Sequence, residues 1–257
     1  MVLTVFGNLK AVSVYGVYHM VTNAIQNITT SFSSGSEALF GDMYAKNEKD
    51  RLNFAFGIYE TLVSIVAVCL FGTTMVLLIP FITLYTMGIT DANYIEPLFG
   101  MLLATACLIY CLRAPYHNMI IAAGKFRETR AAAYGESIIN IFSSVFLVIR
   151  YGLVGVVIGT VAATLYRFIF YAVYLSKHIL YMSIKQFLKR VVINITTIVF
   201  IQLAGRAILD CFSVSSYFQW IMLGLIILIM AIIITMSVNI LFYKNDCNAL
   251  LKHLIKR

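Results

Sequence analysis

The sequence predicts an all-α polytopic membrane protein with about seven transmembrane helices. Hydrophobic residues make up 61% of the 257-residue chain and charged residues only 12%, about half the ~25% usual in a soluble domain. Too few polar residues remain to cover a water-facing surface, and mean hydropathy is +0.90. The apolar residues also fall in continuous blocks close to the ~20 residues that carry a helix across the hydrocarbon core. A membrane barrel would show short strands of alternating polarity instead.

The blocks run roughly over Ala11–Ser34, Phe54–Ile79, Leu98–Ala122, Ala132–Ile149, Leu153–Leu175, Val191–Phe212 and Trp220–Phe242, in a single transmembrane domain over residues 1–257. The first block carries His19, Asn23, Gln26, Asn27, Thr30 and Ser34 at spacings of three and four, so they share one helix face. A polar stripe facing lipid is costly, so this face is expected to look onto protein or water. In the third block Arg113 and His117 stand one turn apart with Pro115 between them. Pro115 removes a backbone hydrogen bond and favours a kink. An arginine at membrane depth costs about 3 kcal/mol on insertion scales, so it faces a cavity or a partner. An anion is the favoured partner; a structural ion pair with Glu60 or Glu136 is the alternative.

The fourth block has Glu136, Asn140 and Ser143 at helical spacing, with Glu136 assigned to the membrane interface. The fifth has Gly155, Gly159 and Ala163, a seam of small residues for close helix packing. Arg167 on the same block is expected to snorkel to lipid headgroups. Residues 176–190, SKHILYMSIKQFLKR, interleave apolar residues with bases and predict an amphipathic helix lying on the cytoplasmic leaflet. The tail after Asn245 resembles it.

Basic residues cluster after alternate blocks: Lys46, Lys49 and Arg51; Lys125, Arg127 and Arg130; Lys177, Lys185, Lys189 and Arg190; Lys244, Lys252, Lys256 and Arg257. Lys and Arg collect in cytoplasmic loops. The amino terminus is therefore expected outside and the carboxyl terminus inside a multi-pass protein of the cytoplasmic membrane. The net charge of +8 is mainly this topology signal. It is spread over short loops without interleaved aromatic residues, which argues against nucleic acid as a partner and for membrane lipids.

No nucleophile, metal-ligand or nucleotide-binding motif occurs, so the chain is read as a non-enzyme without metal or cofactor. Cys69, Cys107, Cys111 and Cys211 read as small apolar residues in or near the blocks, and Cys247 lies in the tail. Residues 1–10, MVLTVFGNLK, do not read as a secretory leader. With an odd helix count, this suggests the carboxyl-terminal part of a longer chain.

Three stretches carry a family resemblance: VSVYGVYHMVTNAIQNIT with the loop GDMYAKNEKDRL, the outer loop LYTMGITDANYIEP, and RAPYHNMIIAAGKFRETRAAAYGESIINIFSSVFLVIRYGLVGVVIGT. Over residues 10–180 they resemble the carboxyl-terminal half of polysaccharide flippases of the multidrug/oligosaccharidyl-lipid/polysaccharide exporter superfamily. The resemblance implies one lobe of a two-lobe, alternating-access transporter. It further implies undecaprenyl-diphosphate-linked oligosaccharide as substrate, moved for surface polysaccharide export. It also implies a partner that supplies the first lobe, or a second copy of the chain. Basic cavity residues suit a diphosphate, so Arg113 and His117 are the candidate substrate ligands, with His19, Asn23 and Asn27 of the polar stripe beside them. A multidrug antiporter of the same superfamily and a non-transporting membrane scaffold or decayed fragment are the competing readings. The first would favour an acidic cavity, and these helices hold more bases.

Overall fold

The computed structural model describes residues 9–32, 35–212 and 214–243. Seven helices form among them: α1 Leu9–Ser31, α2 Ser36–Ala45, α3 Lys49–Tyr85, α4 Pro97–Ala122, α5 Phe126–His178, α6 Ile184–Asp210 and α7 Tyr217–Phe242. Ser34 of the polar stripe, Cys247 and the basic tail lie outside the described residues. No strand occurs among those described, and the molecule is a polytopic helix bundle.

Five helices, α3 to α7, are long and apolar enough to cross a membrane. α1 is not among them, because its stripe of His, Asn and Gln lowers its hydropathy. α5, at 53 residues, is two crossings joined by a reversal. Gly152 takes φ 56° and ψ −132°, a backbone conformation open essentially to glycine. The residues on either side run back along each other. A Cβ on Gly155 would stand 2.2 Å from the Leu147 carbonyl oxygen, and one on Gly159 2.7 Å from Ser144 Oγ. Ser144 Oγ donates to the Val156 carbonyl at 3.3 Å across the turn. Gly155 and Gly159 thus let two backbones touch, with Ala163 buried beyond them. In a bilayer such close van der Waals packing replaces the hydrophobic drive that water supplies elsewhere. Counting α1 and both arms of α5, the described residues hold seven membrane-length segments.

The ends of these segments gather into two packed clusters. One holds Phe40 and Met43 of α2, Phe56 of α3, Tyr116, Met119 and Ile120 of α4, and Phe168, Tyr171 and Leu175 of α5. Its loops and helix ends carry Lys46, Lys49, Lys125, Arg127 and Lys177, and it is called the basic end below. The other holds Val14 and Tyr18 of α1, Leu78 and Ile82 of α3, Tyr94, and Phe99 and Leu103 of α4. There Tyr18 ties α1 to the α3–α4 loop: its hydroxyl donates to the Tyr94 carbonyl and accepts from the Glu96 N–H, each at 2.9 Å. α7 lies along α3, where Trp220 Nε1 donates to the Leu77 carbonyl at 3.2 Å.

Two local expectations need correction. Residues 176–190 do not form one interfacial helix. α5 continues to His178, Tyr181 turns the chain with φ 53°, and α6 starts at Ile184 with Ser183 as its cap. Ile179 and Leu180 are buried in the basic-end cluster, so apolar residues read as lipid-facing fill the bundle instead. α2 was not anticipated. It is ten residues long, too short to cross a membrane, and Phe40 anchors it under α4.

Candidate functional site

α1, α2, α4 and the second arm of α5 line a polar, open-sided cavity of about 320 Å³. Thr30, Glu37, Tyr110, Arg113, Ala114, His117, Asn118 and Arg167 line it. Arg113 and His117 arrive there together because they lie one turn apart on α4, which runs through Pro115 as one helix.

Arg113 is 6% exposed, so its charge needs a partner close by. Its Nη1 donates to Glu136 Oε1 at 2.8 Å. Arg167, on the opposite arm of the α5 hairpin, donates from Nη1 to Glu136 Oε2 at 2.5 Å and from Nε to the Tyr171 hydroxyl at 2.8 Å. One carboxylate therefore serves two guanidinium groups, and the triad retains one positive charge. The guanidinium of Arg113 also lies 4.6 Å from the Tyr110 ring centroid, a cation–π geometry that stabilises a desolvated cation. His117 stacks on Tyr171 at 5.7 Å with 4° between the planes, and its Nδ1 is buried with no hydrogen-bond partner. Asn118 donates to the Tyr59 hydroxyl at 2.9 Å. Glu37, the only carboxylate on the lining among the described residues, is exposed and paired with neither arginine.

The ion-pair alternatives for Arg113 are thereby sorted. Glu136 is its partner, half-buried between α4 and the second arm of α5. Glu60 is taken by Arg190, whose Nε stands 3.1 Å from Glu60 Oε2. Arg190 Nη1 donates to Thr61 at 2.7 Å, and the Tyr116 hydroxyl donates to Glu60. Arg190 had been counted among the loop bases; burial on α6 is the correction, since a charge so placed must meet an acid. Arg167 likewise pairs with Glu136 instead of snorkelling, because the hairpin turns it inward.

His19, Asn23 and Asn27 do not line the cavity. α1 buries Val14, Tyr18, Thr22 and Thr29 against its neighbours and leaves His19 and Asn27 exposed and Asn23 half-buried. The stripe meets the cavity only at its end, through Thr30. Among the described residues no group of three or more His, Cys, Asp or Glu could hold a metal ion.

The described residues thus form an all-helical multi-pass bundle with a cavity lined by two arginines and a histidine. No protein-family model matches the sequence, and no curated protein does. The fold is similar to that of a solved structure titled "Lipid II flippase MurJ, inward closed conformation", with a TM-score of 0.62 and 15% sequence identity over 89% of this chain and 47% of that one. The chain thus spans about half the length of the transporter whose fold it shares.

Proposed function

We propose that this chain forms one lobe of a flippase that carries a lipid-linked oligosaccharide across the cytoplasmic membrane by alternating access. Its polar cavity receives the carrier's diphosphate. The observation that carries the reading is the pair of arginines on the cavity wall held by a single carboxylate. A lipid diphosphate is a compact, multiply charged anion, and the planar fork of an arginine matches its oxygens. Arg113 has donors beyond the one spent on Glu136, His117 has a free ring nitrogen, and both face one space. The likeness to MurJ, whose title names a lipid-linked substrate, supports a lipid-linked cargo. The undecaprenyl carrier and a polysaccharide-type oligosaccharide come from the resemblance in residues 10–180.

The exposed face of α1 supports a second wall. In transporters built from repeats the substrate site lies between the two halves, and one half rocks against the other. In this reading the exposed His19 and Asn27 of α1 are left for contact with a first lobe or a second copy of the chain. In the same reading the basic end faces the cytoplasm.

Export of surface polysaccharide in cells that supply a first lobe tests the assignment, with membrane abundance measured in parallel. Arg113→Ala is expected to abolish export while the protein level holds. Arg113→Lys keeps the charge but loses the fork, and is expected to lower export about tenfold or more. Export that falls only in proportion to protein amount makes Arg113 structural and removes the site.

A further inference from the structure

We infer that Glu136 is an internal stand-in for the substrate phosphate: a carboxylate that holds the site's two arginines together when the site is empty and yields them when an anion enters. The inference rests on the proposed anion site and names the residue that sets its strength and its ability to let go.

The geometry has three parts. First, Glu136 uses both its oxygens, one on each arginine, at 2.8 Å to Arg113 and 2.5 Å to Arg167. Two guanidinium groups bridged by two oxygens of one anion is the arrangement a phosphate would make in the same place, since carboxylate and phosphate both offer paired acceptors to an arginine fork. Second, the arginines line the cavity and Glu136 does not. Each guanidinium is held on one side by the carboxylate while it borders the space an anion would enter. Third, the bridge spans helices. Arg113 belongs to α4, whereas Glu136 and Arg167 belong to opposite arms of α5. A change of partner at Arg113 therefore changes how α4 is tied to the hairpin.

The chemistry follows from competition. Without Glu136 the buried Arg113 and the half-buried Arg167 would repel each other, and an anion entering between them would be held very tightly. A transporter gains from a site that binds and also releases. With Glu136 present, part of the binding energy is spent on loosening an existing pair, so affinity is moderated and departure of the anion is assisted as the carboxylate returns. Glu136 is in this sense a positioning residue, acting through Arg113 and Arg167. Glu37, His117 and Tyr110 border the same arginines, and the Tyr171 ring lies 6.0 Å from Arg113 and 5.1 Å from Arg167, but it is Glu136 that brings a charge and accepts hydrogen bonds from both. Glu37 stands exposed, where solvent screens its charge.

Inorganic pyrophosphate is the probe, titrated onto the full purified chain in detergent and followed by isothermal calorimetry and by the rise in unfolding temperature. Three forms are compared: wild type, Glu136→Gln and Arg113→Ala. Glu136→Gln is expected to bind pyrophosphate roughly tenfold tighter than wild type, within the usual range of coupling between competing ligands. Because this variant carries an unbalanced pair of cations, it is expected to unfold earlier when empty and to gain more temperature from pyrophosphate than wild type does. The second readout holds even where the empty variant is too unstable for calorimetry. Arg113→Ala is expected to lose binding. Loss in Arg113→Ala together with unchanged or weaker binding in Glu136→Gln overturns the stand-in role and leaves the anion site. Undiminished binding in Arg113→Ala overturns the site itself, and the stand-in with it. A merely structural Glu136 would lower stability without tightening pyrophosphate binding.

Discussion

Two acids, Glu60 buried and Glu136 half-buried, organise the charged interior, and each does so on its own terms. Glu136 spreads over two arginines. Glu60 serves Arg190 and also accepts from Tyr116. Breaking a buried pair by removing one partner costs about 3–5 kcal/mol, whereas replacing both partners with apolar residues of similar size is often close to neutral. Glu60→Ala is accordingly expected to lower stability by about 3–5 kcal/mol, and Glu60→Leu combined with Arg190→Met to recover most of the loss. Thermal unfolding of the solubilised protein, followed through Trp220 fluorescence, checks both. Equal losses in the single and double variants would show that the pair is not the source. Arg113 and His117 were legible in the sequence as membrane-depth polar residues in need of partners, and Glu136 as one of two alternative partners for Arg113. Arg190 and Arg167 were not, because each lies near a block end, where a base is ordinarily explained by water or headgroups. The contact that gives each its role crosses between segments, and helical spacing reports only neighbours on one helix.

At the scale of elements, the α5 hairpin determines the site. Its arms are in register through Gly155 and Gly159, which face Leu147 and Ser144. Eight residues further from the turn on both arms stand Glu136 and Arg167, so the same register brings acid and base together. That was the missed signal: a small-residue seam read as packing against the preceding block, about a turn at Gly152, would have placed Arg167 opposite Glu136. Gly155→Ala puts a Cβ 2.2 Å from a backbone oxygen that cannot yield. It is expected to cost at least about 1–3 kcal/mol, the usual price of overpacking. Gly16→Ala, with open space around its Cβ, is expected to be near neutral. Parallel unfolding curves for the two variants measure the difference; similar losses would mean that the arms do not touch there. The all-helical, multi-span class was legible because continuous apolar length alone sets it. The end of α5 and the start of α6 were not, since a short amphipathic run reads alike whether its apolar face meets lipid or a bundle.

At the scale of the whole molecule, the helices alternate so that the lysine- and arginine-rich ends gather on one side. We predict that this side is cytoplasmic. In a background with the native cysteines replaced by serine, Asp91→Cys is expected to react with a membrane-impermeant maleimide in intact cells, and Lys125→Cys only after permeabilisation. The reverse pattern overturns the orientation.

The hairpin also bears on how such a chain enters a membrane at all. Glu136 and Arg167 each sit on an arm that must pass into hydrocarbon, and a lone ionised side chain at the bilayer centre costs about 2.5–3.5 kcal/mol even on insertion scales. Inserted one after the other, the first arm would carry an uncompensated acid and the second an uncompensated base. Folded back at Gly152 before they leave the insertion machinery, the arms present a matched pair already hydrogen-bonded at 2.5 Å. The same reversal that builds one side of the proposed anion site is thus expected to let two individually reluctant segments partition into lipid as a single unit during biogenesis.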